Sequence, residues 1–92
     1  MPRPQKQRRL RFNPEVLYFK PRGVPLSALE EIELLPDEVE ALKLYEIDEM
    51  DQIKAAREMK ISQPTFARII SRAYKKIAIA LVEGKAIKIV KN

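Results

Sequence analysis

The stretch from residue 52 to residue 71 constrains the fold of this chain more than any other feature. It carries a small residue, Ala56, in the middle of a predicted helix, where a second helix can cross at short distance. Ile61 follows at the spacing of an apolar side chain tucked beneath a turn, and Phe66 and Ile69 then provide apolar anchors on a second helix. Because these spacings are met together, the sequence predicts two helices joined by a tight turn.

Capping residues and apolar periodicity predict the bounds of three helices. Asp37 is a candidate cap for the first, and Ser62 caps the third, which carries Pro64 in its first turn. Gly84 ends the third helix. The predicted helices span residues 37–47, 52–59 and 63–83. Lys60 stands in the turn where Gly is usual, since the backbone there tends to be left-handed.

Extended segments are predicted on both sides of the helices. Residues 1–14 are rich in Pro and Arg and are expected to form a basic extended arm. Residues 15–20 and 86–90 have the composition of short strands, which could pair with each other or across a dimer. Residues 26–34 are ambiguous, although Ser27 could cap a short helical turn there. We therefore expect one mainly α-helical domain over residues 15–92, with a tri-helical core and short terminal β-strands.

Charge is segregated along the chain. Residues 1–22 carry seven Lys or Arg and one acid, residues 23–51 carry one Lys and ten acids, and residues 52–92 carry ten Lys or Arg and two acids. Two basic segments around an acidic one produce a local field that favours an anionic partner. The helix at 37–47, with Glu38 and Glu40, is expected to face away from such a partner, because its charge would be repelled.

Several classes of function are disfavoured by what the chain lacks. Without Cys or His there can be no disulfide, no Cys/His zinc site and no Ser-His or Cys-His nucleophile pair. The acids of residues 48–51 have no calcium-loop spacing, and no cofactor or metal site is predicted. An enzyme is thus the least favoured class. No apolar run suggests a membrane span or a signal peptide, so a cytoplasmic location is the default expectation.

The polar residues of the third predicted helix have the chemistry of a DNA-binding surface. Gln can bond adenine and Arg can bond guanine through two atoms, and small side chains contact thymine methyl groups. The predicted base contacts are Gln63, Thr65, Ala67 and Arg68. The predicted phosphate contacts are Ser62, Ser71, Arg72, Lys75 and Lys76, and those of the arm are Arg8, Arg9 and Arg11. The predicted partner is double-stranded DNA, bound through a helix-turn-helix.

Motifs along nearly the whole chain carry a resemblance to a known family. The motifs are Met1-Pro2-Arg3-Pro4, the basic run to Arg11-Phe12, Tyr18-Phe19-Lys20-Pro21, Gly23-Val24-Pro25-Leu26, Asp37-Glu38-Val39-Glu40-Ala41-Leu42, Ser62-Gln63-Pro64-Thr65-Phe66 and Ala80-Leu81-Val82-Glu83-Gly84-Lys85-Ala86. The chain resembles short, largely uncharacterised prokaryotic proteins predicted to bind DNA, whose helix-turn-helix is similar to region 4 of sigma-70-type factors. The resemblance implies DNA binding and transcription regulation. Lys60, in place of the usual Gly, is the main departure.

Two further questions stay open at this level. Residues 77–82 are six consecutive apolar residues, which must be covered on two sides, by the N-terminal strand or by a second copy in a homodimer. The alternative functions are a protein-interaction module that contacts the transcription machinery through the acidic segment, and RNA binding through the basic faces.

Overall fold

The computed structural model describes residues 16–90. Along the chain lie β1 (Val16–Phe19), a 3₁₀ turn (Leu26–Ala28), β2 (Glu31–Leu34), α1 (Pro36–Leu42), a π-helical turn (Lys43–Ile47), α2 (Gln52–Met59), α3 (Gln63–Glu83) and β3 (Ala86–Val90). Within these residues the protein is mainly helical and has three α-helices, as the sequence predicts. The sheet has three strands rather than the two expected.

The sheet has β3 at its centre, between the other two strands. β1 pairs with β3 in antiparallel orientation, with Val16 opposite Val90 and Phe19 opposite Ile87. The N-terminal and C-terminal strands therefore pair within one chain. β2 pairs with the other edge of β3 in parallel orientation, with Ile32 opposite Ile87. The three helices form the crossover that a parallel connection requires.

β2 resolves the segment that the sequence left ambiguous. Residues 31–34 read Glu-Ile-Glu-Leu, and the alternation of acidic and apolar residues fits a half-buried strand. Leu34 is buried, whereas the acidic residues are exposed. Ser27 does not cap a helical turn as expected, because the 3₁₀ turn already begins at Leu26, after Pro25.

The core lies where the three helices meet. Phe66 on α3 is fully buried and packs with Ala41 of α1 and Ala55 of α2, which are also fully buried. Ala55 and Ala56 let α2 approach α3 closely, since neither side chain extends beyond Cβ. The ring of Tyr45 lies against Phe66 at a centroid distance of 6.1 Å and a tilt of 59°.

The start of α1 differs from the predicted cap at Asp37. The helix begins at Pro36, so Asp37 lies inside the first turn and Leu35 is the capping residue. The Leu35 N–H instead donates to Oε1 of Glu38 at 2.8 Å. A Pro at the first helical position costs no hydrogen bond, which favours a start one residue earlier than the sequence suggested.

Candidate nucleic-acid interface

The turn between α2 and α3 has the left-handed conformation expected at Lys60. Lys60 has φ 61° and ψ 43°, and its N–H donates to the carbonyls of Ala56 and Arg57. The N–H of Ile61 also donates to the Ala56 carbonyl, at 3.0 Å. These bonds satisfy the last carbonyls of α2 and place the half-buried Ile61 side chain against the core. The three residues 60–62 therefore connect α2 directly to α3.

Replacement of Lys60 by Gly is expected to leave the fold intact and to leave stability unchanged or raised by up to about 1 kcal/mol. Gly adopts the left-handed region without the steric cost that Cβ imposes. Urea denaturation of the variant and the wild type measures the difference. Lys60→Ala is the matched control, because it removes the same charge but keeps Cβ, and it should give no gain. A large fall in melting temperature for Lys60→Gly would show that this turn is wrongly described.

Hydroxyl groups organise the start of α3. The Ser62 Oγ accepts a hydrogen bond from the Thr65 N–H at 3.3 Å, as a helix cap, and donates to the Thr65 Oγ1 at 2.9 Å. The same Oγ1 accepts a hydrogen bond from Nη2 of Arg68 at 3.3 Å. Arg68 is exposed, and its guanidinium is thus held over the first turn of the helix. This arrangement orients a cation at the front of α3.

The other predicted base contacts share this end of α3. Gln63 is exposed, whereas Thr65 and Ala67 are half-buried. Phe66, Ile69 and Ile70 on the same helix are buried in the core. The structure therefore brings the four predicted side chains together around one end of one helix.

In the described part of the chain, exposed cations without carboxylate partners lie on α2, in the turn and on the outer side of α3. Within residues 16–90, the ion pairs involve Lys43, Arg72, Lys76 and Lys85 as cations. The exposed basic residues of α2, the turn and the outer side of α3 form none of them: Lys54, Arg57, Lys60, Arg68 and Lys75. Sequence reasoning missed Lys54 and Arg57. These two residues lie three positions apart on α2, on the side opposite its buried alanines. The polar face of this amphipathic helix is the sequence signal from which they could have been predicted.

Two of the predicted phosphate contacts bind a buried carboxylate instead. Glu38 is fully buried, and its carboxylate accepts hydrogen bonds from Nε of Arg72 and, at 2.9 Å, from Nζ of Lys76. Lys76 also donates to the Glu33 carbonyl at 2.9 Å. Arg72 and Lys76 thus tie α3 to the start of α1 and the end of β2. The sequence gave no sign that Glu38 is buried or that it pairs with Arg72 and Lys76.

The pKa values follow from these contacts. Burial alone would raise the pKa of Glu38, but the hydrogen bonds from Arg72, the Leu35 N–H and Lys76 outweigh it and hold this pKa below its ordinary value. The hydrogen bond to Glu38 raises the pKa of Arg72 in turn. Glu38, Arg72 and Lys76 therefore form a triad in which one buried carboxylate is shared by two basic side chains.

The remaining predicted residues divide into two groups. Ser71 and Lys75 are exposed on the outer side of α3. Arg8, Arg9 and Arg11 lie outside the described residues.

Among residues 16–90, the acidic side chains form no group of three that could hold a metal ion. No helix of this part of the chain has the length and apolar character to cross a membrane.

Comparisons with known proteins place the chain in a group of prokaryotic proteins. Residues 1–92 match the family model described as Protein of unknown function DUF134. A UPF0251 protein of Caldanaerobacter subterraneus subsp. tengcongensis is 53% identical over 89 residues, which cover 97% of this chain and 75% of the relative. A UPF0251 protein of Dehalococcoides mccartyi is 51% identical over 89 residues, covering 97% and 76%.

A third relative, a UPF0251 protein of Halothermothrix orenii, is 46% identical over 88 residues, covering 96% of this chain and 65% of the relative. The chain therefore spans about two thirds to three quarters of the length of these relatives. No solved structure matches the chain.

Proposed function

This chain belongs to the family described as Protein of unknown function DUF134, and we propose that it binds duplex DNA sequence-specifically through a helix-turn-helix formed by α2, the turn and α3. The observation that carries the proposal is the set of exposed cations on α2, in the turn and on α3 that have no carboxylate partner among the described residues. A group of exposed cations of this kind favours binding to the phosphates of a nucleic acid. From the resemblance that the sequence motifs carry, we further propose that it regulates transcription.

In this proposal the front of α3 enters the major groove. Arg68 bonds a guanine through two atoms, and its hydrogen bond to Thr65 holds the guanidinium near its working position before DNA arrives. Gln63 bonds an adenine in the same bidentate manner, and Ala67 contacts a thymine methyl group. Sequence preference thus depends on the first two turns of α3.

Phosphate contacts flank the base contacts on both sides. Lys54 and Arg57 on α2 are exposed where the first helix of such a unit crosses the DNA backbone. Ser71 and Lys75 would contact phosphates farther along α3. Arg72 and Lys76 would have to break their ion pairs with Glu38 to contact phosphates. We therefore assign these two residues a structural role and no DNA contact. We also propose that Arg8, Arg9 and Arg11 follow phosphates or a minor groove, and that two copies of the protein bind a repeated half-site.

Selection of ligands from a pool of random duplex DNA tests this function. A motif should be enriched, and affinity for it should fall steeply with salt, by about 0.9 logarithmic units per phosphate contact for each tenfold rise in salt. Arg68→Ala should weaken binding by ~1–3 kcal/mol and relax preference at one base position. Lys75→Ala should instead weaken binding to all sequences alike and make the salt dependence shallower.

Arg22→Ala is the matched control, because Arg22 is an exposed arginine in the connection between β1 and β2. Its neighbour Pro21 lines a groove with Ala80 and Leu81, so this connection lies near the C-terminal end of α3 and not near its front. This variant should change neither affinity nor preference. Binding that is equal for every sequence and insensitive to Arg68→Ala would overturn the proposal. Tighter binding of RNA than of duplex DNA at equal salt would favour the RNA alternative, and no nucleic-acid binding would favour a protein-interaction module.

A further inference from the structure

A chain of side-chain hydrogen bonds runs from the cap of α3 to the guanidinium of Arg68. The Ser62 Oγ donates to the Thr65 Oγ1 at 2.9 Å, and Nη2 of Arg68 donates to the same Oγ1 at 3.3 Å. Ser62 and Arg68 are exposed, whereas Thr65 is half-buried. The hydroxyl that joins the two exposed residues therefore belongs to the side chain with the least freedom to move.

Two constraints hold the Thr65 hydroxyl in place. The branched Cβ of a threonine restricts χ1 in a helix to few rotamers, and the hydrogen bond from Ser62 favours one of them. The Thr65 N–H also donates to the Ser62 Oγ at 3.3 Å, so the two residues are joined through backbone and side chain. An exposed arginine without such an acceptor loses much more rotamer freedom when it binds a partner.

We propose that Thr65 is a positioning residue, which fixes the Arg68 guanidinium for base recognition and does not itself contact a base. Residues three positions apart are neighbours on a helix surface, so Thr65 acts on Arg68 directly. Because Ser62 holds Thr65, the residue that caps α3 also helps to set the side chain that reads sequence. This inference deepens the proposed function and rests on it, and it replaces the base contact that the sequence predicted for Thr65.

The hydrogen bonds of this group indicate which base it fits. A hydroxyl oxygen has two lone pairs, and the Thr65 Oγ1 already accepts from Ser62 and Arg68. No lone pair is left for the amino groups that adenine and cytosine present in the major groove. The guanidinium of Arg68 has further N–H donors and no acceptor. Guanine presents two acceptors, O6 and N7, and is the base that such a group of donors matches.

A double-mutant cycle on the full chain tests the role of Thr65, with the duplex DNA that the selection enriches as the probe. Thr65→Val replaces the hydroxyl by a methyl group but keeps the N–H that bonds Ser62, so the helix cap remains. It should weaken binding roughly two- to tenfold, the cost of immobilising one long side chain at an interface. It should also lower the preference at the base that Arg68 reads.

In an Arg68→Ala background, Thr65→Val should have no further effect, because Thr65 acts through Arg68. An equal loss in both backgrounds would show that Thr65 contacts DNA independently and would overturn the proposal. Thr65→Ser is the matched control, since it keeps the hydroxyl and should keep the base preference. A loss of preference in Thr65→Ser as large as in Thr65→Val would contradict the role of the hydroxyl.

The order of the Arg68 side chain can be measured without DNA. Relaxation of the arginine Nε–H groups by NMR reports their motion on the picosecond to nanosecond scale. Arg68 should be more ordered than Arg57, which is exposed and forms no ion pair within residues 16–90, and Thr65→Val should remove the difference. A wild-type Arg68 as mobile as Arg57 would refute this inference alone. An ordered Arg68 in a protein that binds no DNA would refute the proposed function.

Discussion

Replacement of Glu38 by Gln is expected to lower the free energy of unfolding by about 2–3 kcal/mol. Gln can still accept the Leu35 N–H, but it leaves the charges of Arg72 and Lys76 without their anion. We expect a smaller loss of stability than for a fully buried ion pair, because the Arg72 side chain is 46% exposed and water can solvate it. A chain of this size should then lose roughly 10–20 °C of melting temperature.

The effect of Glu38→Gln should depend on pH. The pKa of Glu38 is lowered by folding, so the stability that its charge contributes is present above its ordinary pKa of about 4.5 and is lost as pH falls through the lower folded value. The difference between wild type and variant should accordingly shrink on acidification. Glu40→Gln, at an exposed position of α1, is the control and should have little effect at any pH. Equal losses for both variants would contradict the role of the triad.

Replacement of Phe66 by Ala is expected to lower the free energy of unfolding by about 3–5 kcal/mol. Phe66 is fully buried, and its neighbours include Ala41, Ala55 and Ala56, which are too short to fill the cavity that it would leave. Urea denaturation measures the loss directly. Ile53→Ala on α2 is the control, since Ile53 is 57% exposed and should change stability by less than about 0.5 kcal/mol. A loss below about 1 kcal/mol for Phe66→Ala would contradict this description of the core.

Both stability variants also bear on function. Glu38 and Phe66 lie behind α3 rather than on its outer side, so neither contacts DNA in the proposed mode. At a temperature where each variant is still folded, sequence preference should match that of the wild type, although affinity falls if α3 shifts. A changed preference would indicate that the triad or the core sets the angle at which α3 meets the bases.

The helices and the turn were predictable because their causes are local. The bounds of α2 and α3 are those that caps and apolar spacing predict, and Ser62 caps α3 through the neighbouring Thr65. The left-handed conformation of Lys60 is likewise a property of a few consecutive residues. The front of α3 could be anticipated for the same reason, since residues 63–68 lie within two turns of one helix.

The tertiary structure decided the features that depend on residues far apart in the chain. Arg72 and Glu38 are separated by 34 positions, and nothing in either local sequence shows that α1 turns this carboxylate toward α3. Basic residues of α3 that look alike in the sequence therefore differ in their contacts. Lys75 is exposed and forms no ion pair within residues 16–90, whereas Lys76 donates to the Glu38 carboxylate and the Glu33 carbonyl. The four residues of β2 become a strand by pairing with β3, more than fifty positions later. Caps and periodicity act within one or two turns of a helix, whereas the choice of partner for a charge or a strand edge is settled only when the packed elements bring distant residues together.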